Sequence, residues 1–340
     1  MNQPDRRLHW EDFAAGASVE FGETHVTAAD IVAFAKEFDP QPAHLGEASA
    51  GELFASDWHT CAMLMRMMCD DFLCRAAGAG APGVEHVMWF STVRPGDVLR
   101  VTRTPLETRA SKSRPRIGIV RMLLDVFNQR GEKVLSWLPV QLYDRRDPSA
   151  APPPPEVFQL HNPETPPRPP PDLAHERTDA GPGGFDDIPV GKETTLGSHT
   201  FSKENMLGFA TRFNPQYFHA DEAAATASLY GGLIASGWHT AAVWNRLFVT
   251  HRHERATTVR SAPGRSHGAR FGPSTTVLDM KWPNPVRPGD TIGYRTRIVE
   301  KSEPDAFPAW GLVTSVNEGI NQRNEMVLSL IHKGWVERGG

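Results

Sequence analysis

Two stretches of the chain carry residue types that could move protons. Residues 38–60 read FDPQPAHLGEASAGELFASDWHT, and residues 213–240 read FNPQYFHADEAAATASLYGGLIASGWHT. Each sets a short polar side chain (Asp39, Asn214) five residues before a histidine (His44, His219), with a glutamine between them (Gln41, Gln216). Each then reaches Ala-Ser-x-Trp-His-Thr and an apolar segment, with Ser236 and Gly237 at the second of these helix heads. A carboxylate and an imidazole on one irregular turn can hold a water and share its protons. Backbone N–H groups at a helix start can stabilise charge building on a carbonyl oxygen. Asn214 cannot take or give a proton, but it can hold a water. Asp-Pro and Asn-Pro are also ordinary turn starters, which would make Asp39 and Asn214 caps and the histidines structural. Recurrence of the turn together with a glycine-bearing helix head favours the chemical reading.

The elements that must position these residues come twice. Trp10-Glu-Asp-Phe and Gly16 match Phe185-Asp-Asp-Ile and Gly191 at an offset of 175, which also carries Phe34 onto Phe209 and His44 onto His219. Past the histidine the offset becomes 180, because Trp58 matches Trp238. Arg94-Pro-Gly-Asp97 and Asn128-Gln-Arg130 recur at Arg287 and Asn321, both at an offset of 193. Thr27 and Ser202 read as helix N-caps ahead of apolar stripes (Ile31, Phe34, Phe38; Met206, Phe209, Phe213). Pro40 and Pro215 end those helices. A second helix follows in each copy, Trp58 to about Arg75 and Trp238 to about Val249. Strands are expected over Val98–Thr104, Ile117–Phe127 and Lys133–Tyr143, and over Thr291–Val299, Trp310–Val316 and Met326–Val336. Helices first and an antiparallel sheet after make an α+β fold. Eleven prolines fall between Pro148 and Pro171, so an extended surface linker is expected there. The division is residues 1–147, a linker 148–182, and residues 183–340, with the two copies paired side by side.

Composition excludes several classes. The 340 residues are 39% hydrophobic and 22% charged, with a formal net charge of −4, which argues against a general nucleic-acid binder. No apolar run reaches the roughly 18 residues of a membrane span, and the first residues lack the apolar core of a secretory signal. Cys61, Cys69 and Cys74, in one predicted helix, read as core thiols in a reducing, cytoplasmic setting. No metal-ligand spacing is present, and neither metal nor cofactor is expected. His59 and His239 recur inside the predicted helices and read as core or interface residues. Arg109, Lys112, Arg114 and Arg116 read as a solvated loop that could also meet phosphates.

The turns and helix heads resemble the MaoC-like dehydratase and R-specific enoyl-CoA hydratase family. Its pattern is Asp-x-Asn-Pro-x-His, then Ile-Ala-His-Gly at the head of a central helix. Asp39-Pro-Gln41-Pro42-Ala-His44 matches with Gln for Asn, and Asn214-Pro-Gln216-Tyr-Phe-His219 with Asn for the Asp. Residues 231–237 resemble the helix-head motif, which has decayed to Gly51-Glu-Leu-Phe-Ala-Ser-Asp57 in copy one. The resemblance implies two tandem hotdog domains forming a pseudo-dimer, with a further homodimer possible. It also implies water addition to a trans-2-enoyl-CoA thioester, with Asp39 and His44 as the acid–base pair and Gly237 at the oxyanion position. Length and domain pairing also resemble mesaconyl-CoA hydratases. A hotdog thioesterase and a non-catalytic acyl-CoA binder are the alternatives. The equipment is divided between the copies: copy one keeps the pair but has Asp57 at the glycine position, and copy two keeps the glycine but has Asn214. Copy one is the expected catalytic copy. Asp57 must then turn its carboxylate to solvent or to a cation.

Overall fold

The computed structural model describes residues 7–47, 52–159, 168–169, 184–260 and 271–338. Gly51 and most of the expected linker lie outside them. Copy one runs β1 (Val19–His25), α1 (Ala28–Phe38), α2 (Pro42–Leu45), α3 (Asp57–Asp71), β2 (Gly78–Trp89), β3 (Val98–Ala110), β4 (Ile117–Phe127) and β5 (Lys133–Asp144). A two-residue strand, β6 (Glu156–Val157), adds to the edge of β3. Copy two repeats the order with β7 (Glu193–Thr200), α4 (Lys203–Phe213), α5 (Tyr217–Ala220), α6 (Glu222–Thr226), α7 (Gly237–Arg260), β8 (Phe271–Lys281), β9 (Thr291–Ser302), β10 (Trp310–Asn321) and β11 (Met326–Glu337).

All of these strands form one antiparallel sheet in the order β1-β3-β4-β5-β2-β8-β11-β10-β9-β7. The second half mirrors the first, and the copies join where β2 pairs β8, with Val87 opposite Val277. Both valines are fully buried. The two central helices meet behind this junction through Trp58, which lies 6.2 Å from Trp238 and 5.5 Å from Trp244, ring centre to ring centre. Each central helix also reaches the other copy: Arg66 donates to Thr211 O (2.9 Å) and Arg246 to Glu37 O (2.6 Å). The paired sheets and crossed helices are therefore a pseudo-dimer within one chain.

The local signals work as physics requires. Thr27 and Ser202 accept the N–H of Asp30 and Asn205 at the starts of α1 and α4. The repeated Arg-Pro-Gly-Asp and Asn-Gln-Arg blocks are a single lock. Gln129 and Arg130 donate to buried Asp97, and Gln322 and Arg323 to buried Asp290. Several details differ from expectation. The sequence reading missed β1, β2, β7 and β8. Helix α3 stops at Asp71, followed by one 3-10 turn, Leu73–Arg75. Cys74 falls in that turn and is exposed, so only Cys61 and Cys69 are core thiols. Helix α7 continues to Arg260, well past Val249. Among the described residues no helix is long and apolar enough to cross a membrane.

Candidate active site

Asp39 is the first residue beyond α1. Its N–H still bonds Ala35 O, but its backbone (φ −154°, ψ 68°) leaves the helix ahead of Pro40. Helix α2, with Pro42 at its first position, then brings His44 back beside it. His44 Nε2 lies 3.7 Å from Asp39 Oδ2, too long for a direct hydrogen bond. Both side chains are buried, so their polar atoms need partners. Ser56 Oγ donates to Asp39 Oδ2 (2.5 Å), and Gln41 Nε2 donates to Asp39 Oδ1 (2.8 Å). His44 Nδ1 lies 3.0 Å from Phe54 O, which accepts its proton. In that tautomer Nε2 is the acceptor nitrogen, with Gln41 Nε2 at 3.4 Å and Asp39 Oδ2 at 3.7 Å.

Copy two builds the same turn with inverted donors. Asn214 Nδ2 donates to Ser236 Oγ (2.8 Å), and Asn214 Oδ1 accepts from Gln216 Nε2 (3.0 Å) and from Cys69 Sγ of copy one (3.4 Å). His219 Nδ1 donates to Ile234 O at 2.9 Å. Burial, only partly offset by the hydrogen bond to Ile234 O, pushes the His219 imidazole down to about 4, so it is neutral near pH 7. The pairing of a carboxylate with an imidazole is thus confined to copy one.

The helix heads differ more. Ser56 and Ser236 cap α3 and α7 by accepting the N–H of Trp58 and Trp238. At the copy-one head the Asp57 carboxylate is held by Arg168 Nη2, at 2.7 Å from both oxygens. The carboxylate therefore turns to a cation, and sequence reasoning missed which one. Arg168 belongs to the proline-rich linker, which is not wholly a surface strap. Its N–H bonds Trp89 O (3.0 Å), its carbonyl accepts from Trp335 Nε1 (3.1 Å), and only 7% of the residue is exposed. Trp89 Nε1 bonds Asp57 O at 3.1 Å. At the copy-two head the equivalent Trp282 instead lies flat against Gly237, where an added Cβ would sit 2.4 Å from the indole. The glycine there makes room for a tryptophan, a cause independent of any ligand.

A cavity of about 330 Å³ opens beside the copy-two head. Asn214, Gln216, His219 and Gly237 line it from copy two, and Met65, Met68, Pro139 and Leu142 from copy one. Arg114 lies at its wall, whereas Arg116 pairs with Asp144 and Arg109 with Glu107. His59 and His239 are core residues, stacked on Phe34 (4.7 Å) and Phe209 (4.6 Å).

The family model described as "MaoC like domain" matches residues 189–307. "Uncharacterized protein YdeM" of Bacillus subtilis is 36% identical over 143 residues, 42% of this chain and 91% of that protein. The chain belongs to the MaoC-like dehydratase family. Among solved structures, a "putative MaoC domain protein dehydratase" from Chloroflexus aurantiacus J-10-fl aligns over 100% of both chains at 17% identity, with a TM-score of 0.73. A Mycobacterium tuberculosis protein described as having a double hotdog fold aligns over 97% of this chain and 98% of that one, at 14% identity and a TM-score of 0.67. This MaoC-like chain is accordingly a double hotdog: each central helix is wrapped by its half of the shared sheet.

Proposed function

We propose that this MaoC-like protein is a hydro-lyase that reversibly adds water across the double bond of a trans-2-enoyl-CoA thioester, giving a 3-hydroxyacyl-CoA. The observation that carries the reading is the buried Asp39–His44 pair, with imidazole Nε2 and carboxylate oxygen 3.7 Å apart. A water between them would hydrogen-bond to both, giving one proton to His44 Nε2 and keeping the other, held by Asp39, as the hydrogen of the new 3-hydroxyl group. Its oxygen adds to C3 as the first proton leaves, and negative charge builds on the thioester oxygen. The imidazolium then returns that proton to C2. Ser56 already takes the N–H groups of Trp58, His59 and Thr60, which leaves the Asp57 N–H at the head of α3 for the oxygen charge. Arg168 supports the reading by neutralising Asp57, whose carboxylate would otherwise repel that charge.

One observation favours a second reading. The 330 Å³ cavity adjoins His219 and Gly237, so copy two would hold the thioester and Asn214 would only position the water. The test is a screen of enoyl- and 3-hydroxyacyl-CoAs, following absorbance of the conjugated thioester, with wild type, Asp39→Asn and His219→Ala. Loss with Asp39→Asn alone supports copy one. Loss with His219→Ala alone moves the chemistry to copy two. Release of free CoA thiol would make the protein a thioesterase, and affinity without turnover would make it a binder.

A further inference from the structure

Helix α3 ends against the copy-two turn, and two sulfurs make the contact. Cys69, in the last turn of the helix, is buried and donates its S–H to Asn214 Oδ1 at 3.4 Å. The chain leaves the helix at Phe72 and winds back through the 3-10 turn Leu73–Arg75. That turn brings the exposed Cys74 to the next residue of copy two, where its S–H donates to Pro215 O at 3.5 Å. Two thiols five positions apart in the chain thus rest on two consecutive residues of the other copy. There they are close enough to hydrogen-bond one another. Copy one receives no such pair. At the helix offset of 180, Val249 stands where Cys69 would be, so the pseudo-twofold brings no sulfur to the Asp39 turn.

The two thiols differ in what each can do. Cys74 is open to solvent and Cys69 is not. The S–H of Cys69 stabilises a Cys74 thiolate and so holds Cys74 below an ordinary thiol, while the same bond, together with burial, pushes Cys69 up. An accessible, acidified thiol is the one that reacts with an oxidant, and a second thiol beside it resolves the product.

We propose that Cys74 and Cys69 form an oxidation site, at which hydrogen peroxide joins them in a disulfide and withdraws both thiol donors from the copy-two turn. The Cys74 thiolate attacks one peroxide oxygen, the O–O bond breaks, and hydroxide leaves and takes up a proton as water. Cys69 then attacks the sulfur of the resulting sulfenic acid, giving up its proton as the S–O bond breaks and a second water leaves. Two thiols and one peroxide become one disulfide and two waters, and a dithiol reductant restores both thiols. In the oxidised protein Asn214 Oδ1 keeps its bond from Gln216 Nε2 but loses the one from Cys69. Asn214, Gln216 and His219 line the copy-two cavity, so oxidation acts on that cavity and leaves the turn of Asp39 and His44 as it was.

The first test is chemical and uses the whole chain. Residues 67–75 lie between Arg66 and Arg75 and carry both cysteines, whereas Cys61 falls outside them. After hydrogen peroxide, mass spectrometry of that tryptic peptide should show the loss of two hydrogens, reversed by dithiothreitol. Cys69→Ala should stop at a Cys74 sulfenic acid that dimedone traps, and Cys74→Ser should leave Cys69 reduced. Equal dimedone labelling of wild type and Cys69→Ala overturns the proposal, and so does a disulfide from Cys74 to any other cysteine. The second test is amide hydrogen exchange of the reduced and oxidised wild type. The N–H groups of Asn214, His219 and Ala220 bond Ala210 O and Gln216 O. They should exchange roughly 2- to 10-fold faster after oxidation, the scale of one lost hydrogen bond. Their copy-one counterparts at Asp39, His44 and Leu45 should not change, and peroxide should have no such effect on Cys74→Ser. Equal exchange in the two forms, or an equal rise in both copies, refutes the coupling to copy two.

Discussion

The two helix heads began as one motif and now do opposite things. At α7 a glycine clears space for Trp282, and an open cavity lies alongside. At α3 an aspartate stands in the same place, and an arginine from the linker answers it. The carboxylate–imidazole pair follows the reverse division, with Asp39 and His44 in one turn and Asn214 and His219 in the other. The comparison teaches that a helix-head glycine and an acid–base pair need not travel together, and that neither feature alone locates chemistry in a duplicated fold.

The comparison breaks most readily at the acid–base pair. Asp39→Asn or His44→Ala is expected to lower kcat by roughly 10²–10⁴, whereas Asn214→Ala should cost little. Steady-state hydration kinetics with the same enoyl-CoA throughout provides the check, and the opposite ranking would reverse the assignment of the copies. The next largest effect concerns the buried ion pair. Arg168→Met leaves the Asp57 carboxylate without its cation and is expected to cost about 3–5 kcal/mol in denaturant unfolding. Adding Asp57→Gly to that variant should recover much of the loss. If Arg168→Met unfolds with the wild-type midpoint, the pair does not hold the linker.

Where the copies are alike, they should fail alike. Burial pushes His59 down to about 4 and His239 to about 3, against an ordinary value near 6.5. The folded protein then binds fewer protons than the unfolded chain in that window. Their contribution to stability is full above about pH 6.5 and is lost as pH falls toward 4, by up to about 1.4 kcal/mol per pH unit for each group. Urea midpoints measured from pH 7.5 to 4.5 should fall steeply, and His59→Phe or His239→Phe should each flatten the fall. A curve unchanged by either substitution would show that other groups set acid stability. The smallest effect lies at the copy-two head. Gly237→Val forces Trp282 aside and is expected to destabilise by about 1–3 kcal/mol, with a change in tryptophan fluorescence. A silent Gly237→Val would mean that the indole moves freely.

Much of this was legible in the sequence, for definite reasons. Constant offsets reveal a duplicated fold because paired blocks such as Arg-Pro-Gly-Asp and Asn-Gln-Arg bond one another and must keep their separation. The capping residues, the helix-ending prolines and the two turns could likewise be read, since each acts through neighbours in the chain. The junction strands could not. β2 opens on Gly-Ala-Gly-Ala-Pro-Gly, which carries no alternation, and its pairing with β8 spans almost 200 positions. Arg168 was hidden for a similar reason: one charge in a run of prolines has no period, and only the need of Asp57 for a cation pointed toward it. Trp282 against Gly237 shows the opposite hazard, a substitution pattern explained by packing where ligand approach had been inferred.

The strap that carries Arg168 has one more consequence. Two separate identical subunits related by a twofold axis would present every residue twice, so any change at one helix head would appear at the other. A segment joining the first hotdog to the second exists once per chain, so a side chain it carries need not be repeated at the other head. By setting Arg168 against Asp57 of α3, it gives mutation a handle that distinguishes left from right. The chain can alter one half of its pseudo-dimer while leaving the other as it was.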